Sequence, residues 1–224
     1  ITDGGGAPNV LPPKATVWYF IRADSHKDVE YYYKWVTDIA KGAALMTRTK
    51  LTVKVDTDCH ELIPNTPLSE MLYQNLVDVG APKFNDKERA FARRIQQPLV
   101  EEFGVNFKEA IADQILSISE SNKTSKGSTD VGDISWYIPT GGIRTTCMAA
   151  ESPGHSWQNV ACIGSTLGEK GIIYGAKVMA VSAIDLFENP TLIQEAKADW
   201  KQRMGDRKYT TLIPKGQKPP LRIR

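Results

Sequence analysis

The sequence has little of what marks several common classes of protein. It contains only three cysteines (Cys59, Cys147 and Cys162), which are widely spaced and form no CxxC pair. We therefore expect free thiols in a reducing compartment and place the protein in the cytoplasm. No run of about 18 apolar residues is available to cross a membrane, and no signal peptide is recognisable. The 28 basic residues nearly balance the 26 acidic ones, which gives no electrostatic case for a nucleic-acid or membrane partner.

Several catalytic motifs are also missing. The sequence has no GxSxG nucleophile elbow, no phosphate-binding P-loop and no GxGxxG dinucleotide fingerprint. The stretch GGGAPN at residues 4–9 is too interrupted by proline to open a phosphate-binding helix. These absences argue against serine-nucleophile chemistry and against nucleotide binding.

The overall composition is ordinary for a globular protein. Hydrophobic residues make up 41% and charged residues 24% of the 224 positions, so a core can form in one large domain or two small ones. The chain starts at Ile1-Thr2-Asp3, without methionine, and runs directly into a glycine-rich loop. We therefore expect it to begin inside a longer protein.

The first 64 residues carry a strand, helix, strand pattern. Residues 15–23 are β-branched and aromatic, which predicts a strand. Residues 25–46 place apolar side chains at helical spacing, and residues 50–63 begin with the alternation of a second strand. This pattern predicts a small α+β unit over residues 1–64. Prolines near residue 65 mark a domain boundary.

Residues 65–224 have the pattern of an α/β domain, a mixed sheet with flanking helices. Residues 134–139 and 143–150 predict short strands around the turn that contains Gly141 and Gly142. Residues 171–187 are apolar almost all round, which predicts a buried helix. The remaining predicted elements are helices within 65–82, at 86–97 and at 106–118, with Pro98 between the last two, and a polar loop at 119–128.

Two helix starts carry capping signals. Ser25 followed by Asp28 resembles a capping box at the start of the first helix. Asn189 followed by Pro190 predicts an N-cap and a first helical residue for the last helix. The basic, proline-bearing tail at 206–224 is expected to be weakly ordered.

His155 is the first candidate for chemistry. It follows a Pro153-Gly154 turn, and Asp130 and Asp133 lie upstream in the sequence. Imidazole is the commonest metal ligand and needs a carboxylate or carbonyl to hold its tautomer. One histidine and two loosely spaced carboxylates do not define a metal site by spacing alone, and a partly exposed polar side chain remains the alternative.

Asn9 and Arg22 form the second candidate. Asn9 lies in the glycine- and proline-rich loop before the predicted strand, and Arg22 lies at the end of that strand. An arginine buried on an apolar strand needs an anionic partner, which would make it a fork for a carboxylate with the Asn9 amide as a second polar contact. Alternatively, Arg22 extends to solvent at the strand end.

The other two histidines are weaker candidates. His60 stands close to several acidic residues, and Asp58 would share its face of a strand. Two ligands on one face do not close a metal site. His26 falls in the first turn of the predicted helix and is expected to face solvent.

Two stretches resemble the metal-dependent aminoacylase/carboxypeptidase superfamily, which includes amidohydrolases. GGGAPNVLPPKATVWYFIR, with Asn9 and Arg22, is similar to the GG-x-x-x-N-V-I-P…R segment of that superfamily. STDVGDISWYIPTGG, followed by GHSWQ and a long apolar helix, is similar to its C-terminal segment. The motifs occur in the family's order and extend to about residue 205.

The resemblance implies an architecture and a set of roles. Residues 1–64 would be the second half of an α+β lid that usually dimerises, and residues 65–224 the C-terminal part of a two-metal catalytic domain. His155 would be the last ligand of two divalent ions, zinc or manganese. The implied substrate-binding residues are Asn9 and Arg22, which would hold a carboxylate or the tetrahedral intermediate, and Gly141 and Gly142, which would line the pocket. Trp157 would buttress the pocket wall or be an ordinary core indole.

The resemblance also implies what is absent. The family's other ligands and its glutamate base lie in an N-terminal half without counterpart here, so no catalytic residue is assigned and the chain alone is expected to be inactive. The expected partners are a missing N-terminal half or complementary chain, a second copy bound through the lid, and a small N-acyl amino acid as substrate. The alternatives are a non-catalytic dimerisation or binding module and an unrelated α/β domain.

Overall fold

The computed structural model describes residues 1–118 and 127–219. Most of the predicted polar loop at 119–128 lies outside these residues. Seven α-helices occur within them, namely α1 (His26–Thr47), α2 (Thr66–Val79), α3 (Asp86–Phe103), α4 (Val131–Ser135), α5 (Trp157–Ile163), α6 (Thr166–Glu188) and α7 (Pro190–Met204). None of the helices in the described ranges is long and apolar enough to span a membrane.

The predicted α/β and α+β fold classes are wrong. The described residues contain no strand and no sheet, and their only β-pairing is an isolated bridge between Asp3 and Thr16. Residues 15–23 and 50–55 have strand composition, but a strand exists only when a neighbour pairs with its backbone. Their apolar side chains are largely exposed, among them Val17, Trp18, Tyr19, Phe20, Leu51 and Val53.

The chain divides into two compact units. The first combines Ile1–Leu62 with the described parts of Thr124–Asp133 and Lys208–Arg224. The second combines the described part of Ile63–Lys123 with Ile134–Arg207. Each unit is therefore built from segments that are distant in sequence.

The first unit is organised around α1. The Ser25 hydroxyl accepts a hydrogen bond from the Asp28 N–H, so the predicted cap is confirmed. At the other end Arg48 adopts a left-handed backbone, and its N–H closes the helix by donating to the Ala44 and Leu45 carbonyls. Six large apolar side chains of this helix remain exposed, namely Tyr31, Tyr32, Trp35, Ile39, Leu45 and Met46.

The second unit is a helical assembly in which α2 packs against both α6 and α7, and α5 packs against α6. Its buried cluster comprises Phe84, Ala92, Ile95, Ala110, Ile111, Ala149, Cys162 and Leu167. The predicted N-cap Asn189 and first residue Pro190 of α7 are confirmed. The predicted helix at 171–187 also exists, but only one of its faces is buried, so the prediction of full burial is wrong.

The segment that follows α3 differs from the prediction. The helix continues through Pro98 to Phe103, and no helix forms over 106–118. Side chains of α3 hold this segment in an irregular path, because Arg93 donates to the Phe107 carbonyl and Gln96 donates to the Glu109 carbonyl. These side-chain hydrogen bonds satisfy backbone carbonyls of the segment outside a helix.

Candidate functional site

The predicted site residues fall in both units. Asn9 and Arg22 belong to the first unit, whereas Gly141, Gly142 and His155 belong to the second.

His155 lies in a tight turn before α5. Its backbone is left-handed, with φ of 55°, and its side chain is exposed. This conformation is uncommon outside glycine and is often found where function requires a particular geometry. The next residue fixes the turn, because the Ser156 hydroxyl donates to the Pro153 carbonyl at 2.7 Å and also serves as the N-cap of α5. The imidazole is thus presented to solvent from a constrained backbone.

Two polar atoms near His155 in sequence are buried without a hydrogen-bond partner among the described residues. They are the Ser152 hydroxyl oxygen and the Asn159 side-chain carbonyl oxygen. Buried polar atoms of this kind are rare in native proteins and usually have a partner from water, an ion or another molecule. They give the turn around His155 unused hydrogen-bonding capacity.

The described residues do not fit a metal centre by themselves. No group of three or more histidine, cysteine, aspartate or glutamate side chains in the described ranges is placed to hold an ion. Asp133, which lies upstream of His155 in sequence, accepts a hydrogen bond from His60 in the first unit instead. One exposed imidazole is fewer than the three protein ligands of a typical catalytic zinc site.

Arg22 is exposed and lies in a stretch without regular secondary structure. Its guanidinium lies over the Phe20 ring, 5.5 Å from the centroid, and donates to the Ser128 hydroxyl at 3.3 Å. Asn9 is also exposed, in a turn near the start of the unit.

Gly141 has a packing role that the sequence did not indicate. A Cβ at this position would lie 2.7 Å from Cδ1 of Leu72 and 3.0 Å from Cβ of Leu68, so only glycine lets the turn approach α2 this closely. A Cβ at Gly142 would meet nothing within 4 Å. Trp157, the first residue of α5, is exposed and is not an ordinary core indole.

A cluster that sequence reasoning missed lies inside the first unit. His26 and His60 are 4% and 5% exposed, so the expectation that His26 faces solvent is wrong. Their rings stack with centroids 3.7 Å apart, and the Tyr209 ring stacks on His60 at 4.3 Å. We call His26, His60 and Tyr209 the ring stack.

Carboxylates flank the ring stack on both sides. Asp58 lies 2.9 Å from Nε2 of His26, and Asp133 lies 3.0 Å from Nδ1 of His60. The Tyr209 hydroxyl donates to the same Asp133 oxygen at 3.2 Å. Each buried imidazole therefore has an acidic partner.

Asp58 is stabilised in its charged form. Burial alone would raise its pKa, but hydrogen bonds outweigh that effect and lower the pKa below the ordinary value. The donors include the Leu212 N–H at 2.7 Å, His26 and the Thr211 hydroxyl. Asp58 thus ties the C-terminal segment to the ring stack. The acidic residues around His60 were the available signal, but local spacing could not identify His26 and Tyr209 as partners.

Curated relatives match nearly the whole chain. Over 244 aligned residues it is 34% identical to one of the subunits of p-aminobenzoyl-glutamate hydrolase from Escherichia coli (strain K12), covering 99% of this chain and 51% of that protein. It is 24% identical over 208 residues to Xaa-Arg dipeptidase of Mus musculus, covering 91% of this chain and 40% of that protein. It is 23% identical over 217 residues to Xaa-Arg dipeptidase of Homo sapiens, covering 95% and 42%.

The chain therefore spans about half the length, or less, of the curated relatives it matches. No protein-family model matches the chain. No solved structure matches it either.

Proposed function

We propose that this chain, which fits the amidohydrolase family of its relatives, is part of a metal-dependent enzyme that cleaves the amide bond of an N-acyl amino acid. The observation that carries the proposal is the 34% identity to the p-aminobenzoyl-glutamate hydrolase of Escherichia coli along 99% of the chain. The substrate class follows that relative's name, with p-aminobenzoyl-glutamate as the compound to test first. The dipeptidase relatives also have names that describe cleavage of an amide bond.

Residues 1–64 would belong to a lid or dimerisation region, and residues 65–224 to the catalytic region. The change of compact unit after Leu62 supports a boundary near residue 64, and the described part of Lys208–Arg224 groups with the first unit. The exposed apolar side chains of α1, from Tyr31 to Ile39, support association of the lid with a second copy, because such a stripe is unfavourable in water.

Arg22 and Asn9 would bind the substrate. The Arg22 guanidinium is charged and exposed, and it would pair with the carboxylate of the acyl-amino acid while the Asn9 amide donates a further hydrogen bond. Gly141 and Gly142 would line the pocket, and at Gly142 the lack of a side chain leaves room for a ligand, because a Cβ there would meet nothing within 4 Å.

His155 would supply one imidazole ligand to a pair of divalent ions, zinc or manganese. Its left-handed backbone and exposed ring support this role. The remaining ligands would come from the half of the family protein that this chain does not match, because the described residues do not form a metal-binding group. The chain alone would then be inactive and would need that half, either in the same polypeptide or in a complementary chain.

The experiment combines this chain with the unmatched half of the Escherichia coli relative and measures hydrolysis of p-aminobenzoyl-glutamate. Arg22→Ala should lower kcat/KM by about a hundredfold, or ~2.7 kcal/mol of transition-state binding. Arg94→Ala is the matched control, since Arg94 is an exposed arginine of α3 that lies over a phenylalanine ring in the same way. Equal activity of the two variants would remove Arg22 from the site.

Metal content gives a second readout that does not depend on activity. Inductively coupled plasma mass spectrometry of the assembled protein should find zinc or manganese in stoichiometric amount, reduced in His155→Ala. Background metal together with no hydrolysis would favour the alternative, a non-catalytic dimerisation or binding module. The exposed apolar stripe of α1 is the observation that supports that alternative.

A further inference from the structure

A small cavity lies where the end of α2 and the turn after it meet α6, within the second unit. Its volume is about 220 Å³. Sites for drug-sized ligands enclose roughly 300–1,000 Å³, so this cavity suits a smaller molecule. None of the predicted site residues lines it. We call it the lysine cavity, and the residues that define it are Val79, Pro82, Lys83, Lys170, Tyr174 and Lys177.

The floor of the lysine cavity is apolar and held in place. It is formed by Val79, Pro82 and the ring of Tyr174. Tyr174 is 7% exposed, and its hydroxyl donates a hydrogen bond to the Leu76 carbonyl at 2.6 Å. The chain turns at Gly80, whose φ of 77° lies in the region that favours glycine. A floor that is already ordered binds a flat apolar group without a large cost in conformational entropy.

One lysine of the cavity has a structural role. The Lys170 ammonium donates to the Glu88 carboxylate at 2.8 Å and to the Lys83 carbonyl at 2.9 Å. It also lies 5.6 Å from the centroid of the Phe84 ring. These contacts fix the wall and place the backbone of Lys83 beside it. The charge of Glu88 is balanced by Lys170, so it does not neutralise the other two lysines.

The other two lysines provide positive charge. Lys83 and Lys177 are exposed, and among the described residues their ammonium groups have no hydrogen bond and no ion pair. The described residues that line the cavity include no acidic side chain. Exposed lysines are common on any protein surface. What distinguishes this pair is that both border the same fixed apolar floor, where an anion with an apolar body would contact floor and charge together.

We propose that the lysine cavity binds a small aromatic carboxylate. The ring would lie on the apolar floor, where its burial is favourable, and the carboxylate would accept charge-assisted hydrogen bonds from Lys83 and Lys177. An inorganic anion would leave the floor uncovered, and a neutral ring would leave the ammonium groups unused. The inference does not rest on the proposed function, because the cavity contains none of the residues to which a role was given there.

The test titrates the full chain with three probes and follows binding by ligand-observed NMR. Benzoate carries both the ring and the charge, benzamide has nearly the same shape without the charge, and acetate has the charge without the ring. Benzoate should bind one site with a Kd on the order of 1 mM, as expected for so small a ligand. Benzamide and acetate should each bind at least roughly tenfold more weakly. Added salt should weaken benzoate binding, because it screens the ammonium groups.

Substitutions then locate the site. Lys83→Ala and Lys177→Ala should each weaken benzoate binding by about threefold, and the double variant by about tenfold, since these are exposed ion pairs. Lys177→Arg keeps the charge and should bind within about twofold of the unaltered chain. Lys197→Ala is the matched control, because Lys197 is an exposed lysine of α7 outside the cavity. Circular dichroism should report the same helix content for every variant, since the substituted side chains are exposed.

Three results would overturn the inference. The first is the absence of saturable benzoate binding to the unaltered chain. The second is benzamide binding as tight as that of benzoate. The third is benzoate binding that the double variant retains. If Arg22→Ala abolishes that retained binding, benzoate occupies the proposed substrate site instead, so the lysine cavity is rejected while the role of Arg22 is supported.

Discussion

His26 and His60 stack face to face in the first unit, with ring centroids 3.7 Å apart and planes inclined by 12°. His26 begins α1, and His60 follows a segment without regular secondary structure, so the contact joins two separate parts of the stretch Ile1–Leu62. Each ring keeps its own carboxylate, Asp58 for His26 and Asp133 for His60. Tyr209 brings the C-terminal segment onto the outer ring of the pair. The ring stack therefore joins three parts of the chain.

The contribution of Tyr209 can be divided by two substitutions. Tyr209→Ala removes both the ring and the hydroxyl, and should lower the free energy of unfolding by about 1–3 kcal/mol, because the residue is half-buried and its aromatic contact is lost. Tyr209→Phe removes only the hydrogen bond to Asp133 and should cost about 1 kcal/mol. Urea denaturation monitored by circular dichroism measures both. Equal losses for the two variants would mean that the hydroxyl, and not stacking, holds the segment.

Asp58 makes the first unit sensitive to acid. Its pKa is lowered in the folded state from an ordinary value of 3.8, since the hydrogen bonds from Leu212, His26 and Thr211 outweigh the effect of burial. A carboxyl whose pKa is lower when folded stabilises the protein above its unfolded pKa and loses that contribution as the pH falls through the folded pKa. We therefore expect stability from this residue to be complete above about pH 4 and to decline below it.

Asp58→Asn tests that expectation. The amide keeps the shape but not the charge, and should destabilise the protein at pH 7 by about 1–3 kcal/mol. The difference from the unaltered chain should shrink as the pH is lowered from 4 toward 2, as measured by urea denaturation at each pH. Asp38→Asn is the control, because Asp38 pairs with Lys41 on the exposed surface of α1 and should change stability by less than about 0.5 kcal/mol. A pH-independent difference for Asp58→Asn would contradict the argument.

Signals in adjacent residues predicted where two helices start. Contacts between residues distant in sequence determine whether a strand forms and whether His26 is buried. Ser25 and Asn189 cap their helices by bonds to residues three positions on, so their role can be read from adjacent residues. The strand predictions failed because a strand requires a neighbour that pairs along its length, and the only pairing among the described residues is the isolated bridge between Asp3 and Thr16. The burial of His26 likewise depends on His60 and Asp58, which lie far from it in sequence.

In the candidate site, too, features set by adjacent residues could be predicted, whereas contacts between distant residues could not. The loop positions of Asn9 and His155 follow from the adjacent glycines and prolines and were predicted, whereas Arg22, which was predicted at the end of a strand, lies in a segment without a strand. Their assembly into one site remains a prediction. The packing role of Gly141 could not be predicted, because it depends on the approach of Leu72 from α2.

Glu88 ties α3 to α6 and should be important for the second unit. Its carboxylate accepts hydrogen bonds from the Asn85 N–H, the Thr166 hydroxyl and the Lys170 ammonium, all within 2.9 Å. Burial alone would raise its pKa, but these bonds lower it below the ordinary 4.5. Glu88→Gln should therefore cost about 2 kcal/mol at pH 7, since the partly exposed Lys170 loses its charged partner.

The control for Glu88 is Glu102→Gln, on an exposed position of the same helix, which should change stability by less than about 0.5 kcal/mol. Because the folded pKa of Glu88 is lowered, its contribution is present above pH 4.5 and is lost as the pH falls below that value. Thermal unfolding at pH 7 and pH 3 measures both effects. A Glu88→Gln variant as stable as the control at pH 7 would show that Lys170 gives no net stabilisation.

We expect substitution by alanine to have opposite effects on stability at Gly171 and at Gly175 of α6. A Cβ at Gly171 would overlap the Thr146 carbonyl oxygen and lie 2.6 Å from the Cys147 sulfur, whereas a Cβ at Gly175 would meet nothing closer than 3.5 Å. Alanine is favoured over glycine inside a helix by about 1 kcal/mol. Gly175→Ala should therefore stabilise the chain by up to that amount, while Gly171→Ala should destabilise it by about 1–3 kcal/mol through overpacking. Urea denaturation measures the free energy of unfolding of both variants. If both are stabilised, residues 143–147 can move away from α6 at little cost.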